Sequence, residues 1–192
     1  DNGSGNTQPL NIGGDTSEVL DVTITDSRIV ADGKSYAITT FNTVNLSIDN
    51  SYLEGWAVVY LKSPDSSHGS RDSTVDIRDS EIVSSNKNKG ETDDFGAIVL
   101  EDPRITVRLT DITATISETT GKEQRLFLTS EKDGKYSSES SSFYIGGEKT
   151  KVTFSGEKAS LCDMYDSESV CQVSGGTFNI DVSEYLEPGL EY

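Results

Sequence analysis

The sequence predicts an all-β solenoid built from short strands, and three observations predict it. A phrase of alternating apolar and polar residues recurs, its central aliphatic positions (Ile24, Ile48, Ile77, Leu109) lying 24, 29 and 32 residues apart. A second strand-like phrase follows each of the first three copies. The apolar residues of the recurring phrase alternate at period two and are mostly β-branched, which excludes an amphipathic helix as their explanation.

Taken in chain order, residues 1–15, DNGSGNTQPLNIGGD, are rich in Gly, Asn and Asp and read as a flexible tether or as the region just after a removed export signal. A start without Met fits processing or truncation. The solenoid occupies residues 16–178. Its first phrase is Val22-Thr-Ile24-Thr-Asp26-Ser27-Arg-Ile29, which aligns without gaps with Leu46-Ser-Ile48-Asp-Asn50-Ser51-Tyr-Leu53 and Val75-Asp-Ile77-Arg-Asp79-Ser80-Glu-Ile82. Val107-Arg-Leu109-Thr-Asp111-Ile112-Thr-Ala114 is a weaker fourth copy. The second phrase is Tyr36-Ala-Ile-Thr39, then Trp56-Ala-Val-Val59, then Gly96-Ala-Ile-Val99. Between the two phrases the spacer varies from Glu54-Gly55 to the run Val83 to Phe95, as expected where insertions collect on one side of a repeat frame.

Further along, Arg125 to Tyr144, which contains the polar run KYSSESSSF from Lys135 to Phe143, reads as a long excursion, with strands expected at Arg125 to Thr129 and Ser142 to Ile145. Lys151 to Gly156 and Val170 to Phe178 read as further coils. Residues 179–192 form a C-terminal cap and tail, in which Asp181 and Ser183 can cap a short helical turn over Tyr185 and Leu186 and shield the last strand edges. An antiparallel β-sandwich with chance self-similarity is the competing architecture.

These phrases resemble the right-handed parallel β-helix of the pectate-lyase-like superfamily, in which each coil has three short strands and a tight turn often carries a left-handed Asn that stacks on its neighbours. The resemblance implies five or six coils and places Asp26, Asn50, Asp79 and Asp111 in that turn ladder. Asn and Asp are the non-glycine residues that best tolerate positive φ. Three of the four are Asp, a departure from the family pattern, because stacked carboxylates repel unless hydroxyls, amides or cations intervene. The ending Ser174-Gly-Gly-Thr-Phe178, spacer, Asp181-Val-Ser-Glu-Tyr185-Leu is similar to endings of β-helical repeat regions in secreted and cell-surface proteins of Gram-positive, often gut-dwelling, bacteria.

Charge and composition limit the chemistry. With 16 basic and 33 acidic side chains the chain carries a net charge of −17, the wrong sign for recruiting phosphate backbones, so a nucleic-acid partner is excluded. No run approaches the length of apolar residues that a membrane helix needs. His68, the single histidine, lies in a turn-rich loop with no nucleophile motif beside it, and one His with two close Cys is not a zinc set. No phosphate-binding glycine loop is present. Cys162 and Cys171 flank an eight-residue segment, DMYDSESV, and fit either a disulfide in an oxidising compartment or two buried thiols.

Enzymes of the resembling family carry acidic calcium ligands and an Arg or Lys base on the outward face of one strand. The matching phrase here is apolar at its centre, with only Lys62, Glu101 and Asp102 at its ends. Asp93, Asp94, Glu101 and Asp102 are therefore the only catalytic candidates, and also the groups that would offer calcium its oxygen ligands if the loop folds back over the strand. No calcium-loop motif accompanies them, and no cofactor is expected. The ligand-binding candidates are Tyr36, Trp56 and Tyr60, a stacking surface for sugars if the rings point outward and core if they point inward. The reading that results is a non-catalytic extracellular or wall-associated module for adhesion, glycan binding or structural display, with a glycan or host cell-surface protein as partner. A polysaccharide lyase or glycoside hydrolase on the same scaffold is the alternative.

Overall fold

The computed structural model describes residues 9–13, 18–31, 35–61, 72–86, 95–100, 104–118, 121, 123–129, 141–164 and 168–190. Among the described residues, eighteen strands wind as six coils of three. The first coil holds β1 (Leu10–Ile12), β2 (Leu20–Thr25) and β3 (Arg28–Val30), and the second β4 (Ile38–Thr40), β5 (Val44–Asp49) and β6 (Tyr52–Gly55). The third holds β7 (Val59–Leu61), β8 (Ser73–Arg78) and β9 (Glu81–Asn86); the fourth, β10 (Phe95–Leu100), β11 (Ile105–Thr110) and β12 (Thr113–Glu118). The fifth holds β13 (Gln124–Thr129), β14 (Ser142–Gly146) and β15 (Lys151–Phe154), and the sixth β16 (Ala159–Asp163), β17 (Val170–Val173) and β18 (Thr177–Phe178). The first, second and third strands of successive coils stack in parallel as three six-stranded sheets, A, B and C. The chain is a six-coil parallel β-helix.

Alternation along each strand sends every second side chain inward, where residues of successive coils stack in columns. In sheet B one column runs Val22, Leu46, Val75, Val107, Phe143, Cys171. In sheet A another runs Ile38, Val59, Ile98, Phe127, Cys162. Phe127 and Phe143 meet across the interior with ring centroids 4.5 Å apart, and one coil further on Cys162 and Cys171 are disulfide-bonded. The disulfide thus continues the aromatic pair up the core and ties sheet A to sheet B in the last coil.

Asp26, Asn50, Asp79 and Asp111 lie at four successive turns from sheet B to sheet C, with φ between 44° and 54°. In the fifth coil Gly147 (φ 97°) follows β14 at the same place. The carboxylates are separated as electrostatics requires. The Asn50 amide donates to Asp26 Oδ1 (2.6 Å), Lys149 Nζ lies 3.6 Å from Asp79 Oδ1, and the Lys149 backbone N–H donates to Asp111 Oδ1 (3.0 Å).

The serine that follows each turn has a structural use of its own. Ser27 N–H donates to Ser51 Oγ (3.1 Å) and Ser51 N–H to Ser80 Oγ (3.0 Å), while the three hydroxyls donate to the carbonyls of Thr25, Asp49 and Arg78. Where Ile112 replaces serine, its N–H is taken by the Thr150 hydroxyl of the next coil (3.3 Å). Replacing Ser80 by Ala leaves the buried Ser51 N–H without its acceptor and is expected to cost roughly 1–3 kcal/mol. Urea unfolding reads this as a lower midpoint at constant slope; an unmoved midpoint would show that the hydroxyl ladder contributes nothing net.

Two expectations are corrected by the register. Leu10–Ile12, assigned from sequence to the N-terminal tether, is the first strand of sheet A, because Leu10 and Ile12 find apolar neighbours in the core. In the second phrase, sheet A pairs Ile38 with Val59 and Val59 with Ile98, so the Trp56 phrase is shifted by one residue from its expected alignment. The Trp56 N–H donates to the Ser35 carbonyl (2.8 Å), and Trp56 precedes β7 instead of sharing a strand with Tyr60. At the C-terminal end, a short 3-10 turn at Ser183–Tyr185 follows Asp181, which accepts from the Ser183 N–H (2.9 Å). Leu186 bridges to Val173 and Glu187 N–H donates to the Val173 carbonyl (3.0 Å), covering the edge of β17.

Candidate functional site

Turns from sheet B to sheet C are short, whereas the connections that vary in length, including 62–72, 87–94 and 130–141, all begin or end at a strand of sheet A. Sheet A is therefore the face flanked by the connections whose length varies from coil to coil, as binding faces of repeat proteins are.

Its outer side also differs chemically from that of sheet B. On sheet B the outward residues are polar: Asp21, Asn45 and Thr74 form one hydrogen-bonded row, with the Asn45 amide donating to Asp21 (2.8 Å) and the Thr74 hydroxyl to Asn45 (3.0 Å). On sheet A the corresponding row is Thr39, Tyr60, Val99, Leu128, Asp163. Thr39 is 0%, Val99 5% and Leu128 5% exposed although they point away from the core, so this face is apolar and covered through its middle.

Aromatic rings gather at one end of the row. Tyr36 and Tyr60 stack with centroids 4.3 Å apart and planes 13° from parallel, and Trp56 meets Tyr36 at 5.3 Å in a tilted arrangement. The three ligand-binding candidates are thus brought together, but unequally. Trp56 is 7% exposed and belongs to the wall; both Tyr rings are half-buried, and Tyr60 is the one that sits in the strand row. Tyr36 contacts both of the other rings.

At the other end stands a group that sequence reasoning missed. Arg125, buried at the start of β13, places its guanidinium 3.0 Å from Glu123 Oε2 and 2.9 Å from Asp163 Oδ2 of the next coil. Tyr185 of the cap is held near these carboxylates, and its phenol is pushed up to about 12, chiefly by burial, then by Glu184 and the negative charges of Glu123 and Asp163. Asp181, by contrast, is held below the usual carboxylate range by the Ser183 N–H and hydroxyl. The signal for the Arg125 group was an arginine heading an otherwise apolar strand, with an aspartate closing the matching strand one coil later; the pairing itself needed the register.

The phenol shift carries a sign. With the folded pKa above the ordinary value near 10, the unfolded chain gives up this proton first, so Tyr185's contribution to stability is whole below about pH 10 and is lost as pH rises toward about 12. Urea midpoints measured across that window should fall more steeply for the wild type than for Tyr185→Phe. Parallel curves would mean that the phenol is not held neutral by its surroundings.

Asp93, Asp94, Glu101, Asp102, Lys62 and His68 lie outside the described residues. Among the described residues, no three His, Cys, Asp or Glu side chains converge to hold a metal ion, and no helix is long and apolar enough to cross a membrane. No family model, curated protein or solved structure matches this chain.

Proposed function

We propose that this β-helix is a non-catalytic module of a bacterial extracellular or wall-associated protein, and that the aromatic end of sheet A's outer side, at the half-buried Tyr36 and Tyr60 rings, binds glycan. The observation that carries the reading is the stack of Tyr36 on Tyr60, with Tyr60 in a strand of the one sheet that the variable connections flank and Tyr36 just before another. Pyranose rings present C–H faces that pack on aromatic faces, while their rim hydroxyls seek polar partners, so a site for them combines rings with hydroxyls and amides. A disulfide in the last coil fits the oxidising setting that this reading supposes. Fold by itself does not separate binding from catalysis, which is why the reading rests on the face and not on the solenoid.

A glycan array, read for both retained ligand and cleaved product, tests it. Retention without cleavage is expected, and Tyr60→Ala should weaken retention about tenfold or more while the chain stays folded by circular dichroism. Retention unaffected by Tyr60→Ala would remove the ring from the site. Cleavage abolished by Asp94→Ala or Glu101→Ala would replace the binding module with an enzyme.

A further inference from the structure

We infer that the N-terminal end of the solenoid docks a second copy of this chain, head to head, each copy pairing its β2 edge antiparallel with the other's across a twofold axis at Thr23. The inference stands apart from the glycan reading, because it uses an end of the coil stack and none of the sheet A rings.

The two ends of the stack are built differently. At the C-terminal end Leu186 and the Glu187 N–H cover the edge of β17. At the N-terminal end β1, β2 and β3 are the outermost strands of their sheets, and the interior is open to solvent there. Leu10, Leu20, Val22 and Ile29 point inward yet are only half-buried, whereas the residues one coil on, Ile38, Val44, Leu46 and Leu53, are at most 1% exposed. An apolar interior carried to an open end is stabilised by whatever covers it.

The backbone at this end is also poised to pair. In a parallel sheet alternate residues bond to the strands on either side. Leu20 N–H donates to the Thr43 carbonyl (3.0 Å) and Asp26 N–H to the Asp49 carbonyl (3.2 Å), so the even-numbered residues of β2 bond to β5. The N–H groups of Asp21, Thr23 and Thr25 therefore face the open edge, and such an edge recruits another strand.

Length and register select the occupant. The nine residues ahead of Leu10 are fewer than the 24 that separate Ile24 from Ile48 in successive coils, so they are too short to add a coil. Head-to-tail stacking is opposed by the cap over β17. A second copy arriving head to head offers the same open strand. Antiparallel pairing of residues 20–26 about their middle sets Thr23 opposite Thr23, Asp21 opposite Thr25 of the second copy, and Val22 opposite its Ile24. In that register no two carboxylates meet on β2, hydroxyl side chains face one another on the outside, and apolar side chains meet on the inside. The same axis brings β1 of each copy to β3 of the other.

Analytical ultracentrifugation of the intact chain at about 0.15 M salt tests the inference. The expected result is a dimer whose fraction rises with concentration and whose affinity rises with salt, because screening relieves the repulsion between two bodies of −17 each. Thr23→Pro deletes an N–H that faces the open edge and none that bonds β5, so it should stay folded by circular dichroism while its dissociation constant rises about tenfold or more. On the twofold axis, Thr23→Cys meets its own counterpart at a Cα separation of about 5.5 Å, within disulfide reach, and should cross-link under mild oxidation. Asp21→Cys, set opposite Thr25, should not. If Thr23→Pro fails to fold, the two cysteine variants decide alone. A chain that stays monomeric to about 1 mM would overturn the inference, and protection of the Thr23 amide from exchange in that monomer would identify residues 1–9 as the cover of this end. A dimer that a folded Thr23→Pro leaves intact, or that Asp21→Cys cross-links as readily as Thr23→Cys, would overturn the head-to-head pairing.

Discussion

Phe143→Ala is expected to lower the stability of the protein by about 3–5 kcal/mol, the largest effect of any single substitution considered. Phe143 is fully buried and meets the Phe127 ring, itself fully buried, at a tilt of 31°, so the truncation removes ring area from the core and opens a cavity between sheets A and B. The cavity cannot collapse cheaply. Its walls are strands held by neighbours on both sides, since β14 pairs with β11 and β17. Equilibrium urea unfolding should show the midpoint moving far down at unchanged slope. A loss below about 1 kcal/mol would mean that the interior is loosely packed at the fifth coil, against the burial observed.

Reducing the Cys162–Cys171 disulfide should cost roughly 2–3 kcal/mol, the chain entropy regained by opening a short loop in the denatured state. The residues are nine apart in sequence with Cα atoms 7.0 Å apart, and they join the last strands of sheets A and B. Because each coil of a solenoid contacts only its neighbours, the loss should be felt first in the sixth coil. Amide exchange in β16 and β17 is expected to accelerate on reduction while β5 and β8 stay protected. Uniform acceleration through all six coils would show that the molecule unfolds as one cooperative unit, and unchanged exchange in β16 and β17 would show that the bond contributes nothing locally.

Much of the architecture was legible because repetition multiplies weak signals. Asp26-Ser27, Asn50-Ser51 and Asp79-Ser80 are each ordinary turn dipeptides, but three in register behind the same apolar alternation pointed to stacked coils, and their left-handed φ values and hydroxyl ladder follow from that stacking. The second phrase was less legible. Ala, Val and Ile alternate too weakly around Trp56 to fix a register, and a one-residue slip moves every side chain to the opposite face. Leu10–Ile12 was hidden by its Gly- and Asn-rich surroundings, which describe the connections around the strand and not the strand itself.

The candidate site was legible in its rings and illegible in its charges. Tyr36, Trp56 and Tyr60 stand out by type in a chain with only 8% aromatic residues, so their choice needed no contact. Which ring meets ligand did need contacts, because exposure is a property of everything packed around a side chain. Arg125, Glu123 and Asp163 passed unremarked for the same reason: Asp163 lies more than a full coil beyond Arg125, and an arginine in a chain of −17 has many carboxylates to choose from.

The sequence alone therefore determined the strand class, the repeat, the turn residues and the sign of the molecule's field, all of which depend on neighbours along the chain or on simple sums. Only the tertiary structure decided that Cys162 meets Cys171 above the Phe127–Phe143 pair, that Lys149 relieves the carboxylate ladder, and that sheet A's one described cation is spent on two carboxylates. The physical reason is register: in a parallel β-helix the partners that matter lie a whole coil away, and the variable connections between phrases leave the sequence without the phase that would pair them.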